Sequence, residues 1–156
     1  MKKYRALAIG FSFLLLACSC KKKVSDSPGF PPSGQYFSVV ESRQSAVNNK
    51  QLIIKKIDPD GNLLISKPVT EIITISEENI FRIASSWNEI QKLFNEGDNT
   101  FLFDYGNNVV DTIVINSTIN FENNTIVFNS VEYNKSVIQP VLRNKPAQNS
   151  KIYQLK

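Results

Sequence analysis

The sequence predicts a β-rich α+β fold, in which one amphipathic helix packs on an antiparallel sheet of hairpins in a meander. After residue 34, runs of β-branched and aromatic residues alternate with short segments of Gly, Pro, Asn and Asp, the pattern of strands joined by turns. One segment instead repeats its apolar residues at helical spacing behind a capping signal. The length of 156 residues suits one domain.

The first predicted strands form a hairpin. Residues 51–57 and 63–66 flank the segment 58–62, whose Pro and Gly are typical of a turn. Residues 69–75 are rich in β-branched side chains and are predicted as the next strand. Residues 80–84 are ambiguous between strand and short helix, and we interpret them as a strand.

The helical signal follows. Ser86 and Glu89 have the spacing of a capping box, in which each side chain satisfies a free backbone N–H at a helix start. The apolar side chains at helical spacing are Trp87, Ile90, Leu93 and Phe94. Gly97 supplies a left-handed stop. These features predict one helix of about ten residues whose apolar stripe packs on the sheet.

The later strands are predicted from the same alternation. The predicted segments are 100–104, 109–115, 119–121, 125–128 and 131–133, with turns at 106–108 and 123–124. Both faces of 109–115 are largely apolar, which indicates a central strand covered on both sides. Pro140 and Pro146 restrict residues 137–142 to an edge, and 151–155 is predicted as a final edge strand.

The first residues predict an export signal. Lys2, Lys3 and Arg5 precede residues 6–16, which carry no charge, as in the basic and apolar regions of a signal peptide. The apolar run is too short for a transmembrane helix, which needs about 20 such residues. Residues 1–17 are therefore predicted to be a signal peptide.

The residues after the apolar run extend this prediction. The segment that resembles the lipobox of bacterial lipoproteins consists of Leu15, Leu16, Ala17 and Cys18. The resemblance implies that signal peptidase II cuts before Cys18, that acyl chains such as palmitate attach to this cysteine, and that Ser19 directs the protein to the outer membrane, in either leaflet. Cys20 forms a poorer second box, because no aliphatic residue lies three positions before it. The resemblance implies nothing about the fold that follows.

Two further regions complete the predicted organisation. Residues 18–34 are a flexible, lipid-anchored linker, and residues 35–156 are a single globular domain. The linker carries lysines at 21–23, followed by Ser, Pro and Gly. These lysines either contact anionic lipid headgroups or form a solvated charge run. The whole chain has a net charge of +4, but from residue 34 onward it has 12 basic and 13 acidic side chains, so no nucleic-acid partner is predicted.

Composition excludes several kinds of catalysis. The chain has no His and only two Cys, both in the first twenty residues, so the domain lacks an imidazole base, a thiolate nucleophile and a Cys-ligated zinc. We predict no cofactor and no enzymatic activity. The alternative is a carboxylate-dependent hydrolase of envelope glycans, using Glu77 with Glu78 or Asp104 with Asp111.

The candidate metal ligands are Asp58, Asp60 and Asn62, which alternate as in the first half of an EF-hand loop. Leu63 and Val69 stand where that loop needs Gly and Glu. A hairpin turn is therefore favoured over a metal site.

Trp87 and Tyr105 are candidate contacts for a protein or glycan partner, because amphipathic aromatic side chains are enriched at recognition surfaces. For Trp87 a place in the core is the favoured interpretation. The predicted function is that of a membrane-anchored bacterial lipoprotein with a non-catalytic binding or structural domain in the cell envelope. The second alternative, beside the hydrolase, is an inhibitor or immunity-type protein that binds a secreted enzyme. An exposed apolar patch or free strand edge would favour a protein partner.

Overall fold

The computed structural model describes residues 35–69, 71–75, 78–144 and 150–156. The predicted signal peptide, the lipobox with Cys18 and Cys20, the linker and Glu77 lie outside these ranges. Within them the chain forms two sheets and two helices, a β-rich α+β fold as predicted. Neither of these described helices is long and apolar enough to cross a membrane.

The strands, in chain order, are β1 (Gln35–Val39), β2 (Ile53–Ile57), β3 (Leu63–Pro68), β4 (Ile72–Ile75), β5 (Glu78–Phe81), β6 (Gly97–Asp104), β7 (Val110–Asn120), β8 (Thr125–Tyr133), β9 (Ser136–Ile138), β10 (Val141–Arg143) and β11 (Ser150–Leu155). The helices are α1 (Glu41–Asn48) and α2 (Trp87–Leu93). Sheet A has the order β10-β11-β1-β5-β4, and sheet B has the order β3-β2-β6-β7-β8-β9. In the described residues, β1 and β11 pair in parallel and the other pairs are antiparallel.

The two sheets pack face to face around an aromatic core. Phe37 of β1 and Phe81 of β5 project from sheet A onto Phe103 of β6, with ring centroids 5.9 and 5.6 Å from it. Phe128 of β8 meets Tyr153 of β11 at 6.1 Å. Aromatic pairs at these separations contribute more than their buried area alone. The rings therefore hold the two layers together.

Helix α2 begins where the sequence predicts. The Ser86 hydroxyl accepts a hydrogen bond from the Glu89 N–H at 3.3 Å, and the Glu89 carboxylate accepts from the Ser85 N–H at 2.6 Å. Ile90 and Leu93 are buried in the core between the sheets. The cap residues fix the start of the helix, and its apolar stripe fixes its face.

Helix α2 ends earlier than predicted. Phe94 has extended backbone, and its ring packs 5.2 Å from that of Phe101. Gly97, with φ +88°, is the first residue of β6 and does not stop the helix itself. The buried side chain of Asn99 accepts from the Asn95 N–H at 2.7 Å and donates to the Asn95 carbonyl at 2.8 Å. This pairing turns the chain directly into the strand.

Helix α1 is absent from the sequence prediction, so the expectation of a single helix is wrong. Only Ala46 and Val47 are apolar within it, and both are buried. Two apolar residues are too few to make helical periodicity visible. Its N-cap residue, Val40, makes no capping hydrogen bond through its side chain, so the sequence carries no start signal either.

Most predicted strands are present with altered limits. The 58–62 turn joins β2 to β3, with Gly61 at φ +85°. The pieces predicted at 109–121 and 125–133 join into the two long strands β7 and β8. The strand predicted at 69–75 begins only at Ile72. Val69 instead pairs with the segment before β2, because its N–H donates to the Leu52 carbonyl. The strand interpretation of 80–84 holds as far as Phe81.

The end of the chain differs most from the prediction. Strand β11 lies between β10 and β1, so it is an interior strand and the predicted edge position is wrong. The segment predicted as one edge strand at 137–142 divides at Pro140 into β9, on sheet B, and β10, on sheet A. The chain thus crosses from one layer to the other at this proline.

Candidate functional site

The two ends of the sandwich differ. Gln35, the first residue of β1, donates its side-chain amide to the Ile126 carbonyl at 3.1 Å, close to the β7–β8 turn. We call this the tether end, because the predicted linker joins the domain here. Strand β1 finishes at Val39, and we call that opposite end, which includes the β8–β9 turn, the groove end.

Two adjoining depressions form a groove at the groove end. The larger encloses about 390 Å³ and is lined by Tyr133, Asn134, Ser136, Ile138, Gln139, Gln154 and Lys156. The smaller, of about 210 Å³, shares Gln154 and Lys156 with it and reaches the last residues of β1 and the first of α1. The side chains of Ser136, Gln139 and Gln154 make no hydrogen bond to another described residue. Within the described ranges, these amide and hydroxyl groups are therefore not engaged by other side chains.

A buried carboxylate fixes one wall of this groove. Asp111 of β7 faces the interior and is 2% exposed. It accepts hydrogen bonds from the Arg43 guanidinium of α1, from the Tyr133 hydroxyl at 2.9 Å and from the Asn134 amide at 3.0 Å. Hydrogen bonds to a charged group each contribute about 1.5–3 kcal/mol. Tyr133 and Asn134 are thus held in place before any ligand arrives.

The β8–β9 turn is also fixed through its backbone. Asn134 and Lys135 have φ of 47° and 71°, the left-handed conformation that a two-residue hairpin turn requires. The Thr112 N–H donates to the Asn134 side-chain oxygen at 2.9 Å, and the Asn134 N–H donates to the Thr112 carbonyl at 2.8 Å. This end of the groove is therefore preorganised, which lowers the entropy cost of binding.

The phenols behind the wall remain protonated near neutral pH. Tyr105 is buried with its ring under Arg43, whose Cζ lies 5.1 Å from the ring centroid. Burial and the negative charge of Asp111 raise the pKa of Tyr105. Burial and the hydrogen bond to Asp111 also raise the pKa of Tyr133. Tyr105, predicted as a partner contact, therefore lies in the interior and not on an exposed surface.

The predicted acid pair does not converge. Asp104 and Asp111 lie at the facing ends of β6 and β7, but neighbouring register positions place them on opposite faces of sheet B. The Asp104 carboxylate pairs with the Lys55 ammonium at 2.6 Å, and this hydrogen bond lowers the pKa of Asp104. Glu78 instead accepts from Arg143 at 2.6 Å. Asp104 and Asp111 are therefore not positioned as a pair for glycan hydrolysis, and the pair of Glu77 with Glu78 stays a prediction, because Glu77 lies outside the described residues.

The candidate metal ligands form a hairpin turn. The Asp58 carboxylate accepts from the Asn62 backbone N–H at 2.7 Å and from the Asn62 side-chain amide at 2.9 Å. These two hydrogen bonds lower the pKa of Asp58. Asp60 lies between Asp58 and Asn62 in the turn. Across the described ranges, no cluster of three or more His, Cys, Asp or Glu is arranged to hold a metal ion.

An aromatic pair occupies the surface of the tether end. Trp87 of α2 is partly buried against the core, and its ring meets that of Phe121 edge-on, with centroids 6.0 Å apart and planes at 75°. Phe121, in the β7–β8 turn, is 62% exposed. Trp87 thus contacts the core and also an exposed ring at the surface. Phe121 is not among the residues predicted to contact a partner, although a large aromatic beside Glu122, Asn123 and Asn124 is a sequence signal of exposure.

Comparison of the chain with protein-family models, curated proteins and solved structures finds no match. The fold is that of a β-rich α+β domain, and its groove end carries a preorganised polar surface. Arg43, Gln139 and Gln154, which build or line that surface, belong to no motif, so sequence reasoning had no signal by which to select them.

Proposed function

We propose that the protein is a bacterial lipoprotein, anchored to the outer membrane through Cys18, whose domain binds a polar ligand of the cell envelope without catalysis. The position of the groove is the observation on which the binding proposal depends. Strand β8 has nine residues and runs from the tether end to the groove end, a length of about 30 Å at 3.3 Å per residue. A tethered domain would present this groove away from its anchor.

The lining of the larger depression favours an uncharged ligand rich in hydroxyl or amide groups. Gln139 and Gln154 each offer a donor and an acceptor, Ser136 adds a hydroxyl, and Ile138 supplies an apolar contact. Lys156 is the one charged side chain among these lining residues. Envelope glycans and extended peptide backbones have this chemistry.

A non-catalytic role is supported by the residues themselves. The chain has no His, and the Asp111 carboxylate behind the groove already accepts three hydrogen bonds in the interior. An acid that is enclosed in this way positions its donors and does not reach a ligand. The hydrolase alternative therefore gains no support from the placement of Asp104 and Asp111.

The anchor is tested by lipid labelling. We expect Cys18→Ala to abolish incorporation of radiolabelled palmitate and membrane fractionation, because the lipobox places the acylated cysteine there. The matched control, Cys20→Ala, is expected to keep both. Labelling that persists in Cys18→Ala and disappears in Cys20→Ala would transfer the anchor to Cys20, and labelling in neither parent nor variants would overturn the lipoprotein assignment.

The groove is tested by site-specific photo-cross-linking in the native envelope. A photoreactive residue at Gln139, on the rim, is expected to form a discrete adduct, and Gln154→Ala is expected to reduce its yield. The control position is Asn129, which is exposed on the outer face of sheet B. Equal adducts at both positions, or none at Gln139, would contradict a binding function for this groove.

A further inference from the structure

The exposed bulky apolar side chains include a phenylalanine and a leucine at the tether end of the domain. The apolar side chains more than half exposed among the described residues are Leu63 at 58%, Leu64 at 53%, Phe121 at 62%, Val137 at 60% and Leu142 at 65%. An isolated exposed apolar residue needs no explanation, whereas apolar side chains that lie together mark an interaction surface. Their positions in the sheets show which of them share an end.

Two of these five side chains lie at the tether end. Phe121 is in the β7–β8 turn. Leu63 pairs with Ile57 of β2, and the pairing across sheet B aligns this position with Glu132 of β8. Leu63 and its neighbour Leu64 therefore lie level with Val137 and are not part of the tether end.

Sheet A contributes Leu142, which is paired with Lys151 of β11, and Lys151 is paired in turn with Gln35 at the start of β1. Val137 lies toward the groove end, paired with Glu132 beside the β8–β9 turn. Leu142 and Phe121 thus lie at the end of the domain where the predicted linker joins it.

The length of the predicted linker limits the distance between this end of the domain and the membrane. Residues 21–34, in extended form, span at most about 45 Å at roughly 3.1 Å per residue, so an anchored domain stays close to lipid. This confinement raises the effective concentration of the membrane surface at the tether end. Aromatic side chains such as those of Trp87 and Phe121 favour the boundary between headgroups and acyl chains. Near-neutral charge from residue 34 onward leaves apolar insertion as the main attraction.

We propose that the tether end docks on the bilayer that holds the lipid anchor, with Phe121 entering the interfacial region, Trp87 beside it and Leu142 at the same end of the domain. This inference rests on the proposed lipid anchor and adds an orientation to it. Docking directs the groove away from the membrane and converts a flexible attachment into an oriented one.

Trp87 makes the proposal directly measurable, because it is the only tryptophan in the chain. We would couple the chain from residue 18, carrying Cys20→Ser, through the Cys18 thiol to maleimide lipids in phosphatidylcholine vesicles brominated on the upper acyl carbons. The bromines quench a nearby indole, so Trp87 emission is expected to fall by at least half relative to unbrominated vesicles. Chemical coupling replaces enzymatic lipidation, so this experiment can fail while Cys18 remains the natural anchor.

Two matched variants separate docking from mere attachment. Phe121→Ser is expected to restore most of the quenched emission, and its exposed turn position leaves the fold intact. Val137→Ser removes an equally exposed apolar side chain from the groove end and is expected to leave quenching unchanged. Absence of quenching in the coupled parent, or quenching that Phe121→Ser does not change, would overturn membrane docking. Quenching that disappears in high salt would overturn apolar insertion as its cause.

Discussion

Lys56 places an ammonium-bearing side chain on the inner face of sheet B. It is 4% exposed, pairs in register with Phe101 and Ile65 on the neighbouring strands, and has no ion pair with another described residue. Burial lowers the pKa of Lys56. The aliphatic part of the side chain packs in the core, while removing the ammonium charge from water is unfavourable.

Replacing Lys56 by Met should therefore stabilise the protein. Met keeps a long flexible apolar stem and removes the charge, so we expect the free energy of unfolding to rise by about 1 kcal/mol at neutral pH. Urea denaturation provides the measurement. The neighbouring variant Lys55→Met is the control: it breaks an ion pair with Asp104 on the outer face and should not stabilise.

The same substitution has a defined pH dependence. A lysine whose folded pKa is lowered binds its proton less tightly in the folded than in the unfolded state, so its cost is fully present below the folded pKa. The cost declines as the pH rises through that value toward the ordinary lysine pKa of about 10.4. The advantage of Lys56→Met should shrink over this alkaline range. An advantage that grows with pH would contradict the assigned cause.

At the scale of elements, Glu89 links helix α2 to sheet B. Its carboxylate accepts from the Ser85 N–H and hydroxyl and from the Lys67 ammonium of β3, the last at 2.6 Å. Partial burial opposes ionisation, but the hydrogen bonds from Lys67 and Ser85 outweigh it and lower the pKa of Glu89. The cap thus depends on a charged side chain.

Glu89→Gln should destabilise the protein by about 1 kcal/mol at pH 7, because the amide keeps the shape but loses the charge-assisted hydrogen bonds. A carboxyl with a lowered folded pKa stabilises above its ordinary pKa of about 4.3, and this contribution is lost as the pH falls through the folded pKa. Thermal unfolding of parent and variant should therefore converge in acid. A constant difference down to pH 3 would contradict this origin.

Local signals allowed the sequence to predict several elements correctly. The Ser86 and Glu89 spacing located the start of α2, and the turn chemistry of 58–62 located the first hairpin. The failures have one physical origin, which is that long-range pairing leaves no local pattern. Strand β11 became interior because it pairs with β1, more than 100 residues away in sequence, and α2 ended early because Phe94 is drawn into the core.

The candidate site was harder to predict for the same reason. Asp111 and Tyr105 were noted from the sequence, but Arg43 joins them from α1, a helix without an apolar pattern. The amides of Gln139 and Gln154 share a groove only because β9 and β11 end near each other. Phe121 and Leu142 lie at the same end only because of the strand order in the two sheets. Each depends on topology that single residues do not encode.

At the scale of the whole molecule, the Arg43–Asp111 ion pair connects the two layers. Arg43 is on α1, which follows β1 of sheet A, and Asp111 is on β7 of sheet B. Burial opposes the charge of Arg43, but its hydrogen bond to Tyr133 and the charge of Asp111 outweigh this and raise the pKa of Arg43. Removing one partner of a buried pair leaves an uncompensated charge.

Asp111→Asn should therefore lower the free energy of unfolding by about 3 kcal/mol, measured by urea denaturation. The control, Asp104→Asn, breaks a more exposed pair in the same hairpin and should cost no more than about 1 kcal/mol.

Arg43→Met combined with Asp111→Asn should cost less than the two single variants together, because the first change removes the charge that the second leaves unpaired. Additive costs would mean that the two side chains act independently. A coupled result would indicate that the contact between the layers also holds the wall of the groove, so Asp111→Asn should also reduce cross-linking from Gln139.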